Sequence, residues 1–452
     1  MKLDILVAEI GSTTTVVNGF WLGKDACYAG SGQAPTTVLD GDVNIGLSNA
    51  IDDFKKNMGT DDLLYDEMMA TSSAAGGLRM TVHGLVYDMT VKAAREAALG
   101  AGANIHMVTA GKLRKTDLEK IIGIRPNIIL IAGGVDYGEC ETALYNAREI
   151  AGLNLDVPVI YAGNIQNRDE MKQIFDEAGM KVYIVDNVYP RIDQLNVEPT
   201  RKVIQEVFEE HITNAPGMSK VREMVSGNII PTPAGVMEAT KLLSNLLGDV
   251  VTIDIGGATT DIHSVTEGSE EISRILISPE PAAKRTVEGD LGVYINIRNI
   301  IDLATKEWLL KELGLNASEL EELIDDHKPI PKTSIEKIFV EKLAYVACKT
   351  AIARHAGDMI DVYSTSGRKK AAMGKDLTAV KYIIGTGGVL TRLPGRTDIL
   401  KNIINEPDST KLLPNRDATV LIDNHYIMAS VGVMSKTHPT DSLEFLRQSL
   451  RL

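Results

Sequence analysis

Two stretches of this chain, about 245 residues apart, repeat one device. The first is Glu9-Ile10-Gly11-Ser12-Thr13-Thr14-Thr15, and the second is Asp254-Ile255-Gly256-Gly257-Ala258-Thr259-Thr260-Asp261. In each, an apolar run that reads as a buried strand ends on a carboxylate, passes a glycine and enters small and hydroxyl residues. Glycine lets the backbone approach an anion closely, and the turn exposes N–H donors. Hydroxyls add donors without bulk. A carboxylate can hold Mg²⁺ through water, because magnesium keeps several of its waters. One such turn alone reads as an ordinary hairpin. Two of them imply two lobes that present facing hairpins to one ligand. A third segment, Tyr382-Ile383-Ile384-Gly385-Thr386-Gly387-Gly388-Val389-Leu390, runs a strand into consecutive glycines. That suits backbone packed against a flat ring or a sugar, although it is also a common strand–helix corner.

The rest of the chain fits a large α/β protein. Its 452 residues exceed one simple core and suggest about three domains. The hydrophobic share of 44% is ample for packed cores, so disorder is not expected. Lys and Arg number 47 against 61 Asp and Glu, a net charge of −14. With the basic residues dispersed, a nucleic-acid partner is not expected. Cys27, Cys140 and Cys348 lie far apart, which argues against a disulfide framework, a zinc site or a four-cysteine cluster and fits a reducing compartment. The opening Met1-Lys2-Leu3-Asp4 has no signal-peptide architecture, and no apolar run is long enough to span a bilayer, so the expectation is a cytoplasmic protein without membrane attachment.

Residues 3–10 and 16–22 read as a hairpin, 44–57 as an amphipathic helix and 68–73 as a further strand. Between about 80 and 220 the texture changes to alternating strands (127–132, 158–161, 182–185) and helices (91–99, 139–151, 168–178), the pattern of a parallel sheet. Residues 231–247 then read as a helix, 250–255 and 261–265 as strands, and the charged stretch 266–345 as helices near 293–303, 307–313, 317–324 and 334–345. A strand at 381–384 and a closing helix near 425–434 complete the reading. The implied domains are a first lobe (1–80 with 220–248), an inserted or enlarged α/β region (80–220) and a second lobe (249–452) with a helical subdomain near 266–345. His83, His263 and His425 read as structural, and Gly76-Gly77 and Gly133-Gly134 as turns. Asp136 and Asp186 follow strands, where a cleft position and a helix N-cap are equally open.

Together, the order and spacing of the motifs resemble the actin, sugar-kinase and heat-shock ATPase superfamily. Residues 9–15 resemble its first phosphate motif, 254–261 its second, 384–389 its adenosine motif, and 231–238 and 423–432 its two connecting helices. The resemblance implies a two-lobed actin-like ATPase with ribonuclease H-like lobes. It assigns nucleotide contacts to Gly11, Ser12, Thr13, Thr14, Thr15, Gly256, Gly257, Ala258, Thr259, Thr260, Gly385, Thr386, Gly387 and Gly388. Glu9, Asp254 and Asp261 become the catalytic candidates, and Glu9 and Asp254 hold Mg²⁺ through water. Two departures stand out. Glu9 occupies a position where the superfamily usually has Asp. The stretch Asn228-Ile229-Ile230-Pro231 lacks the Glu or Gln that orients the attacking water in many relatives, which implies slow hydrolysis or a base from elsewhere.

Within the superfamily the chain is similar to the GlmL family, accessory proteins of adenosylcobalamin-dependent mutases such as glutamate mutase. A mismatch-repair protein sometimes given a similar name is unrelated to that family. The segments that carry this likeness are Ala8 through Thr15, Ser72-Ser73-Ala74-Ala75-Gly76-Gly77-Leu78, Ala132-Gly133-Gly134-Val135-Asp136, Tyr161-Ala162-Gly163-Asn164, Val185-Asp186-Asn187-Val188 and Thr252 through Asp261. The resemblance implies a chaperone that uses ATP and Mg²⁺ to open a mutase, so that damaged cobalamin leaves and intact cofactor enters. Such a protein is a slow ATPase rather than a metabolic enzyme. No Asp-x-His-x-x-Gly surrounds any His, so a cobalamin site of its own is not expected. A metabolite kinase and an ATP-dependent filament protein are the alternatives on the same fold, and self-association as a dimer stays open. The activators of hydroxyacyl-CoA dehydratases share the fold but need cluster cysteines, which this glycine-rich turn lacks.

Overall fold

The structure is a computed structural model that describes residues 1–11, 13–37, 42–73, 79–212, 218–227, 229–364, 367–405, 408 and 410–452. The first sheet contains β1 (Lys2–Ile10), β2 (Thr14–Trp21), β3 (Cys27–Pro35), β4 (Leu64–Ser72) and, far along the chain, β10 (Ile230–Pro231), in the spatial order β10-β4-β1-β2-β3. β1, β2 and β3 form an antiparallel meander, to which β4 and β10 add in parallel. A later sheet repeats this plan with β11 (Val250–Ile255), β12 (Thr260–Val265), β13 (Ala283–Glu288), β16 (Tyr382–Thr386) and β17 (Thr419–Ile422), in the order β13-β12-β11-β16-β17. Again three strands are antiparallel and two join in parallel. Counted along the chain, both sheets run 3-2-1-4-5. That is the ribonuclease H-like lobe present twice, and the protein has the two-lobed actin-like ATPase fold.

β1 shows why such strands read as continuous apolar runs. Leu3, Leu6, Ala8 and Ile10 face one core, while Ile5 and Val7 face a second core between the lobes. With both faces covered, the period-2 alternation disappears from the sequence. The inter-lobe core is completed by helices Thr232–Leu247, Met428–Met434 and Pro439–Leu450. The first two cross at glycines: a Cβ on Gly432 would lie 1.8 Å from the Gly235 carbonyl oxygen. Only two missing side chains let these backbones come so close.

Between β4 and β10 the chain builds a separate parallel sheet from β5 (Arg79–Gly84), β6 (Asn104–Ala110), β7 (Ile128–Ile131), β8 (Val159–Tyr161) and β9 (Val182–Ile184), ordered β6-β5-β7-β8-β9. Helices Lys92–Gly100 and Glu198–Ile212 cover one face. Helices Lys115–Ile124, Glu141–Ala151 and Arg168–Glu177 cover the other. This is a doubly wound domain of 2-1-3-4-5 order. β14 (Asp358–Ser364) and β15 (Gly367–Met373) form a hairpin beside the second lobe.

Several element boundaries differ from the sequence reading; the strand expected from residue 68 begins at Leu64. The helix expected from residue 293 begins at Ile297, because the N–H groups of Val293, Tyr294 and Ile295 donate instead to the carbonyls of Gly256 and Gly257. The helix expected near 425–434 begins at Met428, after Tyr426 at φ +53°. It does not close the chain, since Pro439–Leu450 follows. The helix at 334 runs on to His355, because its apolar face continues through Ala347, Cys348, Ala351 and Ile352. Among the described residues no helix is long and apolar enough to cross a membrane.

Candidate nucleotide site

The two glycine turns have the same local geometry. Gly11 N–H donates to Thr14 O at 3.0 Å, and Gly256 N–H donates to Thr259 O at 2.9 Å. Each turn is buttressed from behind. Thr36 donates from its N–H to Thr13 O (3.0 Å) and from its hydroxyl to Gly11 O (2.9 Å). In the second lobe Tyr294 and Ile295 N–H donate to Gly257 O, and Asn296 Nδ2 donates to Ala258 O. Among the described residues the N–H groups of Gly257 and Ala258 find no acceptor, so they stand free for an anion.

Between the lobes lies a cavity of about 430 Å³, a size suited to a nucleotide. Glu9, Gly11, Thr13 and Thr14 line it from the first turn, and Asp254, Gly256, Gly257, Ala258, Thr259 and Asp261 from the second. Ser12, Asn228 and Gly76-Gly77 fall outside the described residues. Thr15 and Thr260 are buried behind the turns, where Thr15 shares a hydrogen bond with the Thr36 hydroxyl and Thr260 donates to Leu291 O. In the third motif Gly388 lines the cavity, while Gly385, Thr386 and Gly387 do not. Thr386 Oγ1 donates to Asp423 Oδ2 at 2.9 Å. Gly387 has φ +85°, and a Cβ there would stand 2.4 Å from Asp254 Oδ1. Its absent side chain makes room for the Asp254 carboxylate.

The three lining carboxylates differ in their surroundings. Glu9 is buried, its Oε1 accepts from the Tyr426 hydroxyl at 3.1 Å, and its Oε2 has no partner. Burial pushes its pKa up to about 7; Asp423 adds to the rise, while Tyr426 and Arg392 oppose it. Asp254 is held well above the usual carboxylate range by burial, then by Asp261 and Glu9, against the opposing pull of Arg285. Asp261 is fully engaged: Arg285 donates to its Oδ1 from Nε (2.8 Å) and Nη2 (2.6 Å), and Thr259 Oγ1 donates to its Oδ2 (2.9 Å). An orphaned buried oxygen on Glu9 beside the Asp254 carboxylate is a donor set that fits a hard divalent cation. Among the described residues no group of three or more His, Cys, Asp or Glu could cage a metal directly, so the fit is to an ion that keeps its own water.

Several lining residues carried no sequence signal. Tyr294, His327, Pro329, Ile330, Pro331 and Val340 form a largely apolar wall, with Lys337 beside it. The Tyr294 and His327 rings lie 5.7 Å apart, and His327 Nε2 sits 2.8 Å from Val293 O. Such a wall suits a flat heteroaromatic ring. These residues are scattered through a charged stretch that has no glycine motif. Arg392 also lines the cavity; its guanidinium lies over the Tyr426 ring and bonds to Gln33 of the first lobe. Of the histidines read as structural, His83 is satisfied on both nitrogens by Thr109 and Thr81. Asp136 Oδ1 accepts from Ile165 N–H, at the start of the short 3-10 helix Ile165–Asn167, and from Asn187 Nδ2. Asp186 pairs with Arg168.

The fold is that of the actin-like ATPase class. The family model described as "MutL protein" matches residues 5–450, and the chain belongs to that family. It is 34% identical over 458 residues to Protein MutL of Clostridium tetanomorphum, covering 98% of each chain. Among solved structures it is similar to diol dehydratase-reactivating factor in nucleotide-free form, with a TM-score of 0.39, 11% identity and coverage of 97% of this chain and 100% of that one. It is similar also to a glycerol dehydratase reactivase, with a TM-score of 0.35, 10% identity and coverage of 96% and 100%. Likenesses this distant do not bear on substrate or partner.

Proposed function

We propose that this protein is an ATP-dependent reactivating chaperone of the GlmL type, serving an adenosylcobalamin-dependent mutase or aminomutase such as glutamate mutase. The observation that carries the nucleotide part is the meeting of two matched glycine turns, with Glu9 and Asp254, in one cleft between two lobes. The mutase part rests on the sequence likeness over the whole chain. Glycine-turn N–H groups hold the phosphates, the ringed wall takes the base, and Glu9 and Asp254 hold Mg²⁺ through water, which neutralises phosphate charge when bound. In the described residues 229–231, just before the first connecting helix, no carboxylate or amide lines the cleft, so Glu9 and Asp254 are the groups left to accept a proton from water, and turnover is slow.

Chaperoning needs differential binding. ATP and ADP must favour different lobe arrangements, and the mutase must prefer one of them. The inserted domain is the gripping element of this reading. Its loops after β5, β7, β8 and β9 expose Tyr87, Tyr137, Ile165 and Ile192, apolar side chains that a partner could cover. On this reading the chain carries no cobalamin site of its own. The test is to load a purified mutase with hydroxocobalamin, add this protein with ATP and Mg²⁺, and follow cobalamin in the filtrate. ATP-dependent release is expected. Phosphorylation of a small acceptor, or ATP-dependent light scattering by the protein alone, would replace this reading with the kinase or the filament.

A further inference from the structure

The helix Lys92–Gly100 belongs to the inserted domain, yet its last turn is held by the second lobe. Arg285, on β13, is the largest fully buried side chain among the described residues. Its planar guanidinium makes the two bonds to Asp261 Oδ1 and also donates from Nη1 to Leu99 O at 3.0 Å. One rigid fork therefore joins a carboxylate of the nucleotide cleft to the C-terminal turn of a helix in another domain. Around it lies a buried charge network. Lys92 Nζ meets Glu280 (2.5 Å), Ser278 Oγ and Pro279 O, and Lys284 Nζ meets Glu280 (2.7 Å) and Glu96 (3.2 Å). Arg201, of helix Glu198–Ile212, donates to Glu96 O and to Ala283 O on β13. Glu96 Oε2 and Arg201 Nε remain without partners. A buried network that is partly unsatisfied leaves free energy for a second arrangement to recover.

We propose that Arg285 is a positioning residue that couples the occupant of the nucleotide cleft to the inserted domain. Asp261 lines the cleft, so a phosphate-bound cation arriving there competes with Arg285 for the Asp261 carboxylate. Because the fork is planar and rigid, any rotation that follows Asp261 changes the bond to Leu99 O. A cation at a helix C-terminus stabilises the last turn, so losing or tightening that bond loosens or firms the end of the helix. This inference rests on the nucleotide reading above and adds the route by which the cleft reaches the gripping domain.

The test is hydrogen exchange across residues 92–103 in the full chain, with ADP and with a non-hydrolysable ATP analogue, both with Mg²⁺. In the wild type, exchange of this segment is expected to differ roughly fivefold or more between the two nucleotides. Arg285→Lys keeps a charge beside Asp261 but cannot fork to both acceptors; it is expected to bind nucleotide and to lose the difference. Lys92→Met cuts a neighbouring tie and is expected to keep it. If Arg285→Lys does not fold, Asp261→Asn with Arg285→Met removes both charges together and is expected to lose the difference as well. Nucleotide binding without any wild-type difference, or a difference that survives the loss of Arg285, overturns the coupling. Failure of the wild type to bind either nucleotide overturns the reading of the cleft itself.

Discussion

Replacing Glu9 by Gln should stabilise the nucleotide-free protein, and only at neutral to alkaline pH. Glu9 is buried with one oxygen unpartnered, and its pKa moves from an ordinary 4.5 in the unfolded chain to about 7 in the fold. A carboxyl whose pKa is raised by folding gives stability that is complete below about pH 4.5 and is lost as pH climbs through 7. At 1.36 kcal/mol per pH unit, that interval amounts to about 3 kcal/mol. Gln has the same shape, still accepts from the Tyr426 hydroxyl and never ionises, so it escapes the loss. For a chain this long 1 kcal/mol moves Tm by about 1 °C. Thermal unfolding without Mg²⁺ or nucleotide should therefore give equal Tm values near pH 4.5 and a variant about 3 °C more stable at pH 8. Mg²⁺ with nucleotide should reverse the order, because a bound cation favours the ionised wild-type carboxylate. A variant that is destabilised by the same amount at every pH would refute the claim that Glu9 carries a strained charge.

Two further substitutions probe the backbone, one beside the cleft and one at the inter-lobe helix crossing. Gly387→Ala forces a side chain into a left-handed residue against the Asp254 carboxylate, and a loss of at least tenfold in ATP affinity by calorimetry is expected. Gly432→Ala drives a methyl into the Gly235 carbonyl and should cost about 1–3 kcal/mol, seen as a Tm lower by about 1–3 °C in scanning calorimetry.

The parts of the fold that could be read from sequence were those where local chemistry and tertiary role agree. The turns at Gly11 and Gly256 need glycine for backbone reasons that hold in any context, so their pairing was visible as a pattern. β3 was not, because Cys27-Tyr28-Ala29-Gly30-Ser31-Gly32-Gln33-Ala34-Pro35 has almost no apolar alternation. It is a strand because Gly32 packs directly on the backbone of Ala50 and Phe54 in the helix Val43–Met58, a contact no local signal encodes. The same division holds in the cleft. Glu9, Asp254 and Asp261 stand beside glycines that mark them. Tyr426 and Arg285 become neighbours of Glu9 and Asp261 only when elements 417 and 24 residues away fold against them. The Tyr294 and His327 wall depends on the loop at 293–295 turning back on Gly256 and Gly257, which also broke the helix expected there.

The most direct test of the account is rescue of an adenosylcobalamin mutase inactivated by its own turnover, assayed with wild-type protein and with Asp254→Ala, in the presence of ATP, Mg²⁺ and fresh adenosylcobalamin. The expected result is recovery of mutase activity with the wild type only when ATP is present, and no recovery with Asp254→Ala. Recovery without ATP, or equal recovery with Asp254→Ala, would contradict the account.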